Sequence, residues 1–184
     1  MIIKSIGLSK FQYLASLIHI PEPIVSQINS ILYEFVWQGK SDKVKRSIFE
    51  QEFKNGGFKM ANFKDIIKAA SVVWVKRYLD DTDRQWKRIL EYLCNMSYLN
   101  IFLHSNFDVK ELPRTLPQYY LSSFYNWRDV SNECSKPFSQ LIWYNRDIKI
   151  GGHSIFNTRL FSIGLWSISD MYEENRSIIL LIHG

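Results

Sequence analysis

The feature that most constrains the fold is a stripe of apolar residues at helical spacing, with prolines before it and a glycine after it. The stripe occupies the i, i+4, i+7, i+8 and i+11 positions, namely Ile24, Ile28, Ile31, Leu32 and Phe35. This spacing predicts a helix to about Trp37 with one buried face. Pro21 and Pro23 precede the helix and Gly39 ends it, because proline suits the first helical turn and glycine the position after the last.

Similar spacing predicts four more helices. The first, over 9–19, would be capped by Ser9; the others run from Asn62 to about Leu79, over 83–96 and over about 117–130. Their expected inward faces are Phe11, Leu14, Ala15 and Ile18 in the first, Phe63, Ile67, Ala70 and Trp74 in the second, and Trp86, Ile89, Leu90 and Leu93 in the third. Asn55-Gly56-Gly57 predicts a turn, 47–53 fits a strand or a short helix, and 97–115 is expected to be irregular.

The last part of the chain carries a hairpin signal. Gly151-Gly152 separates two short apolar runs, 147–150 and 153–156, and such a two-residue loop is typical of a β-hairpin. A final helix is expected from Ser169 through the acidic Glu173-Glu174. The predicted fold is therefore mainly α, with a helical bundle-like first half and a small α+β second half that contains the hairpin. The expected divisions are a helical, basic region at 1–96, an irregular and helical connector at 97–136, and a small α+β lobe at 137–184.

Composition excludes several classes of protein. The chain has 184 residues, 46% of them hydrophobic, which is too apolar for a fully disordered chain. Its two cysteines, Cys94 and Cys134, are too few for a disulfide scaffold or a four-cysteine zinc site, so buried free thiols are expected. No apolar run approaches the roughly 20 residues that cross a bilayer. We expect an intracellular protein with no membrane partner and no cofactor.

The positive charge is concentrated in the first half. Residues 1–100 hold 15 Lys/Arg and 10 Asp/Glu, whereas 101–184 hold 8 of each. Residues 38–77 alone carry ten cations against four anions. Such a concentration is typical of a surface that binds phosphates, and the alternative is a solvated basic face with no ligand.

Tyr78-Leu79-Asp80-Asp81 is similar to the metal-binding box of reverse transcriptases, but its context differs. Two-metal catalysis needs a cluster of carboxylates, which those enzymes place on a β-hairpin. Here the tetrapeptide follows a helical pattern and is followed by the polar Thr82-Asp83-Arg84-Gln85. The sequence therefore predicts a helix end and a helix cap at this position. The four histidines are scattered, and we expect no metal, no small-molecule substrate and no catalytic residue.

Two blocks of sequence nevertheless resemble segments of one family. The first is Phe35-Val36-Trp37-Gln38-Gly39-Lys40, a basic loop, Gly56-Gly57-Phe58-Lys59-Met60-Ala61-Asn62-Phe63, then Ala69 and Trp74. This block resembles the region just after the polymerase palm of LINE-type non-LTR retrotransposon reverse transcriptases, the thumb and wrist. Family members usually carry a proline shortly after the Gly-Gly pair, where this chain has Ala61. The second block, Trp143-Tyr144-Asn145 through Gly164, Ile168 and Asp170, resembles a stretch further downstream in some of these elements.

The resemblance implies a non-catalytic C-terminal piece of a retroelement polyprotein, whose polymerase palm lies upstream. Its expected partners are an RNA template or RNA–DNA hybrid and the upstream polymerase region. The charge and the aromatic residues imply phosphate contacts and base stacking. The expected binding residues are Lys40, Lys43, Lys45, Arg46, Lys64 and Lys68 for phosphates. Trp37, Phe58 and Phe63 are candidates for stacking, and the alternative, favoured for Trp37 and Phe63, is core packing. The alternative is a helical protein-interaction module that uses the stripe Ile24, Ile28, Ile31 and Phe35 as an exposed surface.

Overall fold

A computed structural model describes residues 8–80, 82, 84–131 and 140–173. Over these residues the chain is mainly α-helical with one small antiparallel hairpin, which confirms the predicted class. The helices are α1 (Ser9–Ala15), α2 (Glu22–Val36), α3 (Arg46–Glu50), α4 (Phe63–Leu79), α5 (Gln85–Cys94), α6 (Leu99–His104), α7 (Gln118–Ser131), α8 (Thr158–Ser162) and α9 (Ile168–Glu173). The strands are β1 (Lys149–Ile150) and β2 (His153–Ser154), and short 3-10 turns occupy Phe53–Asn55 and Val109–Glu111.

The chain forms two compact units, residues 1–75 and 76–184, and the boundary falls within α4. The predicted divisions after residues 96 and 136 differ from this boundary and stay predictions of functional organisation. The first unit holds ten Lys/Arg and six Asp/Glu, and the second holds 13 and 12. The excess of positive charge therefore belongs mainly to the first unit.

The first unit has a small core around Phe63, the first residue of α4. Leu8, Val25 and Phe63 are buried together, and Ile20, Ile28, Leu32, Ala61, Ile66 and Ile67 pack around them. The Phe11 ring meets Phe63 edge-on, with 5.7 Å between ring centroids. Phe63 has no exposed surface, which confirms its predicted place on the inward face and excludes the alternative that it stacks on a base.

The buried face of α2 differs from the predicted stripe. Val25 and Tyr33 are buried, whereas Ile24, Ile31 and Phe35 are 44%, 62% and 64% exposed. At about 100° per residue, the apolar side chains of α2 cover more than half of its circumference. One edge of this wide apolar surface stays outside, and contacts with Phe63 and Phe49 decide which edge that is.

Three other local predictions need correction. First, α1 ends at Ala15 instead of residue 19, and Leu8, not Ser9, holds its N-cap position. Second, α5 buries Leu90 and Cys94, whereas Ile89 and Leu93, predicted to face inward, are exposed. Third, the stretch expected to be irregular contains α6, four of whose six residues are buried. Helix α6 is too short for periodicity to reveal it, because it spans less than two turns.

The second unit is organised around Trp143. The indole Nε1 donates to the carbonyl oxygen of Leu165 (2.7 Å), and Ile101, Ile142 and Leu165 are buried with the ring. Asn145 is fully buried; its amide donates to the Leu141 carbonyl oxygen (2.8 Å) and its Oδ1 accepts from Asp147 N–H (3.0 Å). Asp170 accepts from the backbone N–H groups of Trp166 (2.8 Å) and Ser167 (2.6 Å). These residues of the second sequence block therefore hold the fold of this unit together.

The hairpin has the predicted Gly-Gly turn, with strands shorter than the predicted runs 147–150 and 153–156. Lys149 pairs with Ser154 and Ile150 with His153 in antiparallel strands. Gly151 and Gly152 both have positive φ (61° and 85°), the backbone conformation that a type I′ two-residue turn requires. The Gly-Gly signal therefore identified the turn correctly.

Candidate nucleic-acid interface

Four aromatic side chains from three parts of the first unit form one group, which we call the aromatic stack: Tyr33, Trp37, Phe49 and Phe58. Phe49, on α3, is its buried centre, with ring centroids 4.6 Å from Phe58, 5.3 Å from Trp37 and 6.4 Å from Tyr33. The Phe58 ring is nearly parallel to Phe49 (24°) and is 62% exposed. Stacked and edge-on ring pairs stabilise such groups beyond simple burial. The stack thus presents the outer surface of Phe58 to solvent.

The backbone after the Asn-Gly-Gly turn is held tightly against α3. The Phe58 and Met60 N–H groups both donate to the carbonyl oxygen of Phe49 (3.1 Å each), and Lys59 N–H donates to that of Gln51 (2.8 Å). A Cβ on Gly57 would lie 2.2 Å from the Gln51 carbonyl oxygen, so only glycine fits there. This close approach of two backbone segments fixes where Phe58 leaves the chain.

A polar network joins α2, α3 and α4 beneath the stack. Asn62 Oδ1 accepts from the Asn29 amide (3.0 Å) and from Lys64 N–H (2.9 Å), which confirms Asn62 as the cap of α4. The Asn62 amide and the Tyr33 hydroxyl both donate to Glu50 Oε1, at 3.1 and 2.8 Å. Burial, with the hydrogen bond to the Glu50 carboxylate second, raises the pKa of Tyr33 above its usual range. The network thus keeps a neutral phenol on a charged carboxylate and sets the relative position of the three helices.

The predicted cations differ in their contacts. Arg46 Nε lies 2.8 Å from Asp42 Oδ2, and the guanidinium lies 4.6 Å from the centre of the Tyr33 ring. Lys64 Nζ lies 3.1 Å from Glu22 Oε1, with both side chains exposed. Lys68 is half-buried on α4. Among the described residues, no carboxylate lies within ion-pair distance of Lys40, Lys43 or Lys45, which are all exposed in the loop between α2 and α3.

The contacts of Arg46 and Lys64 place these two cations along one side of α2. Their partners Tyr33 and Glu22 are 11 residues apart, which is almost a whole number of helical turns and about 17 Å along the axis. One strand of a duplex carries a charge about every 3.4 Å, so this interval matches about five phosphates. Exposed ion pairs such as Lys64–Glu22 contribute at most about 1 kcal/mol, and a phosphate can therefore displace the carboxylate.

Trp37 offers less of its ring to solvent than Phe58 does. It is half-buried against Phe49, and its indole Nε1 is buried without a hydrogen-bond partner among the described residues. Phe58 is the member of the stack that offers a large surface to a ligand.

Two features near Phe58 were missed at the level of sequence. Phe53 is 71% exposed, and Lys54 and Lys59 each directly follow an exposed phenylalanine. The repeated Phe-Lys pair around the Asn-Gly-Gly turn, Phe53-Lys54 and Phe58-Lys59, is the signal that could have identified them. Lys54 pairs with the exposed Glu52 at 3.0 Å.

The segment that is similar to the aspartate box ends a helix. Tyr78 and Leu79 belong to α4, and the Tyr78 hydroxyl donates to Glu91 Oε1 (2.8 Å). Hydrogen bonds from Thr82 and then from Lys87 lower the pKa of Asp80 to about 2. Asp81 lies outside the described residues. Asp80 is thus engaged locally by Thr82 and Lys87 at the predicted helix end. The predicted helix cap is wrong, because Arg84 holds the N-cap position of α5 without a side-chain cap hydrogen bond.

No family model, curated protein or solved structure matches this chain. Over the described part of the chain, the helices are too short or too polar to cross a membrane. The same residues include no group of three His, Cys, Asp or Glu side chains able to hold a metal ion. The resemblance to a retrotransposon reverse transcriptase therefore stays a prediction.

Proposed function

We propose that this chain is a non-catalytic module that grips an RNA template or RNA–DNA hybrid through phosphate contacts, as the post-palm region of a LINE-type reverse transcriptase would. The observation that carries the proposal is the set of exposed cations at one end and along one side of α2. Lys40, Lys43 and Lys45 lie in one loop without carboxylate partners among the described residues, and Arg46 begins the next helix. Arg46 and Lys64 continue this charge along α2.

Phosphate contacts suit a protein that must hold any sequence. They fix orientation without reading bases, and most of their binding free energy comes from released counterions. The first unit also carries the net positive charge that would attract a polyanion over the distance of a Debye length.

The test is the salt dependence of binding by the full chain. Fluorescence anisotropy with a labelled RNA–DNA hybrid at about 50 and 200 mM salt gives the slope of log affinity against log salt. Replacing Lys40, Lys43 and Lys45 with glutamate should abolish tight binding, and the residual slope should fall by about 2 to 3. Arg46 is left intact because its guanidinium packs on Tyr33 and supports the fold.

A matched control changes the same amount of charge elsewhere. Lys110, Lys149 and Arg159 are exposed residues of the second unit, and their replacement with glutamate should leave most of the affinity. Equal losses in the two triple variants would mean that net charge alone drives binding and would refute a specific surface.

The second candidate function is a protein-interaction module, favoured by the exposed edge of α2. Ile24, Ile31 and Phe35 are large apolar residues at solvent, and Ile31 and Phe35 line an open depression of about 700 Å³ with Glu34, Val36, Gln38 and Gly39. Contiguous exposed apolar surface often marks an interface. No binding of the hybrid even at low salt would favour this function over the first.

A further inference from the structure

The fold leaves two phenylalanine side chains of the first unit at solvent. Phe58 is 62% exposed and Phe53 is 71% exposed, and both belong to the short segment around the Asn-Gly-Gly turn. Exposing an aromatic ring forgoes the burial that usually stabilises a protein. Two such rings so close in sequence suggest a surface whose partner is another flat, apolar group.

The position of Phe58 is fixed before any ligand arrives. Its inner face stacks on Phe49, and hydrogen bonds from Phe58 and Lys59 N–H hold the backbone on both sides of the ring. Gly57 allows the segment to approach Gln51 more closely than any side chain would permit. A ring held in this way loses little conformational entropy on binding, which favours its use as a stacking surface.

The segment that carries the two rings has a net positive charge, which favours an anionic partner. Residues 42–59 contain five Lys/Arg and three Asp/Glu. Of the three acids, Asp42 is paired with Arg46, Glu50 is engaged with Tyr33 and Asn62, and Glu52 is paired with Lys54. A purely apolar protein partner would gain nothing from a lysine directly after each phenylalanine. Alternating aromatic and cationic groups match the alternation of bases and phosphates in a nucleic acid.

Resting on the proposed function, we infer that Phe58, with Phe53, forms a stacking site for unpaired bases, so that this end of the surface takes single-stranded nucleic acid. Bases within a duplex already stack on their neighbours, so an exposed ring reaches only a base that is unpaired. Lys54 and Lys59 then neutralise the phosphates on either side of the stacked bases.

The experiment separates bases from phosphates. The full chain is titrated with a labelled oligothymidylate of about 12 nucleotides and with an abasic strand of the same length, which keeps the phosphates and lacks the bases. The wild-type chain should bind the base-bearing strand about five- to 100-fold more tightly. Phe58→Leu, which keeps the apolar contact with Phe49, should lose most of this preference, and Phe53→Leu part of it.

Three controls make the outcome decisive. Phe58→Tyr keeps an aromatic face and should behave as the wild type, and Tyr92→Ala removes an 84% exposed ring from the other unit without effect. Replacing Lys40, Lys43 and Lys45 with glutamate should weaken binding of both strands, because both strands carry phosphates.

The two proposals fail in different ways. Equal affinity of the wild-type chain for the two strands, or a preference that survives both leucine variants, overturns the stacking site and leaves the phosphate surface intact. Insensitivity to the lysine replacements overturns the proposed function instead. The comparison of the two strands on the wild-type chain decides the stacking site even where a variant does not fold.

Discussion

Replacing Gly57 with alanine should disrupt the segment that carries Phe58. The new Cβ would lie 2.2 Å from the Gln51 carbonyl oxygen, 2.5 Å from its carbon and 2.7 Å from the Ile48 carbonyl oxygen. All three are backbone atoms of α3 and the residue after it, so none can rotate away. Relief requires the two segments to separate by about 1 Å, which weakens the hydrogen bonds from Phe58, Lys59 and Met60. We expect a cost of about 3 kcal/mol, at the upper end for overpacking.

Gly56→Ala is the matched control because it lies next to Gly57 and meets no atom within 4 Å. Its φ is +79°, so alanine there costs only the left-handed backbone conformation, about 1 to 2 kcal/mol. A larger loss in Gly57→Ala than in Gly56→Ala therefore reports the close approach at Gly57, because the φ of Gly57 lies outside the left-handed region.

Hydrogen exchange of the segment 57–60 measures the effect directly. These amides donate to Glu52, Phe49 and Gln51, and a loss of about 3 kcal/mol speeds their exchange roughly 100-fold. Gly56→Ala should speed it roughly tenfold. Exchange in Gly57→Ala as slow as in the wild type, or equal in the two variants, would refute the view that the close approach positions Phe58.

Two further predictions concern polar and ionisable groups. Asn62→Asp keeps the α4 cap but sets a second carboxylate about 3.1 Å from Glu50 Oε1; we expect about 2 to 3 kcal/mol of destabilisation at neutral pH. The pKa of one of the two carboxyl groups then rises above its value in the unfolded chain, so the lost stability should return as the pH falls to about 4. The measurement is the free energy of unfolding in urea at neutral pH and at pH about 4. An equal loss of stability at both pH values would contradict this prediction. Burial raises the pKa of the Cys94 thiol to about 12, so in a Cys134→Ser variant iodoacetamide should label Cys94 at pH about 8 only in denaturant. Rapid labelling of this variant in the folded state would show that the Cys94 thiol is accessible.

Local signals in the sequence predicted much of the backbone. The helix from Glu22, the cap at Asn62, the Asn55-Gly56-Gly57 turn and the Gly151-Gly152 hairpin all depend on interactions within a few residues. For this reason composition and spacing were sufficient to identify them. Helix α6 was missed because its six residues are too few to establish a period.

The candidate site was predicted only in part. The loop cations and Phe58 were predicted from the concentration of charge and from the aromatic residues of the first sequence block. Phe53 was overlooked, and Lys54 and Lys59 were counted among the clustered cations but not named as binding residues. Phe63 was placed by periodicity on the inward face of its helix, but its partners in the core, Leu8 and Val25, are distant in the chain and could not be predicted. Trp37 likewise acquires its half-buried place only through Phe49.

The sequence by itself determined where helices and turns form and in which half the positive charge lies. The tertiary structure decided which face of each helix is buried, and hence that Ile24, Ile31 and Phe35 lie at solvent. The physical reason is the distance along the chain over which each interaction acts. Helix formation and capping are local, but the choice of the buried face depends on contacts such as Asn29 with Asn62, 33 residues apart, and no periodicity encodes them.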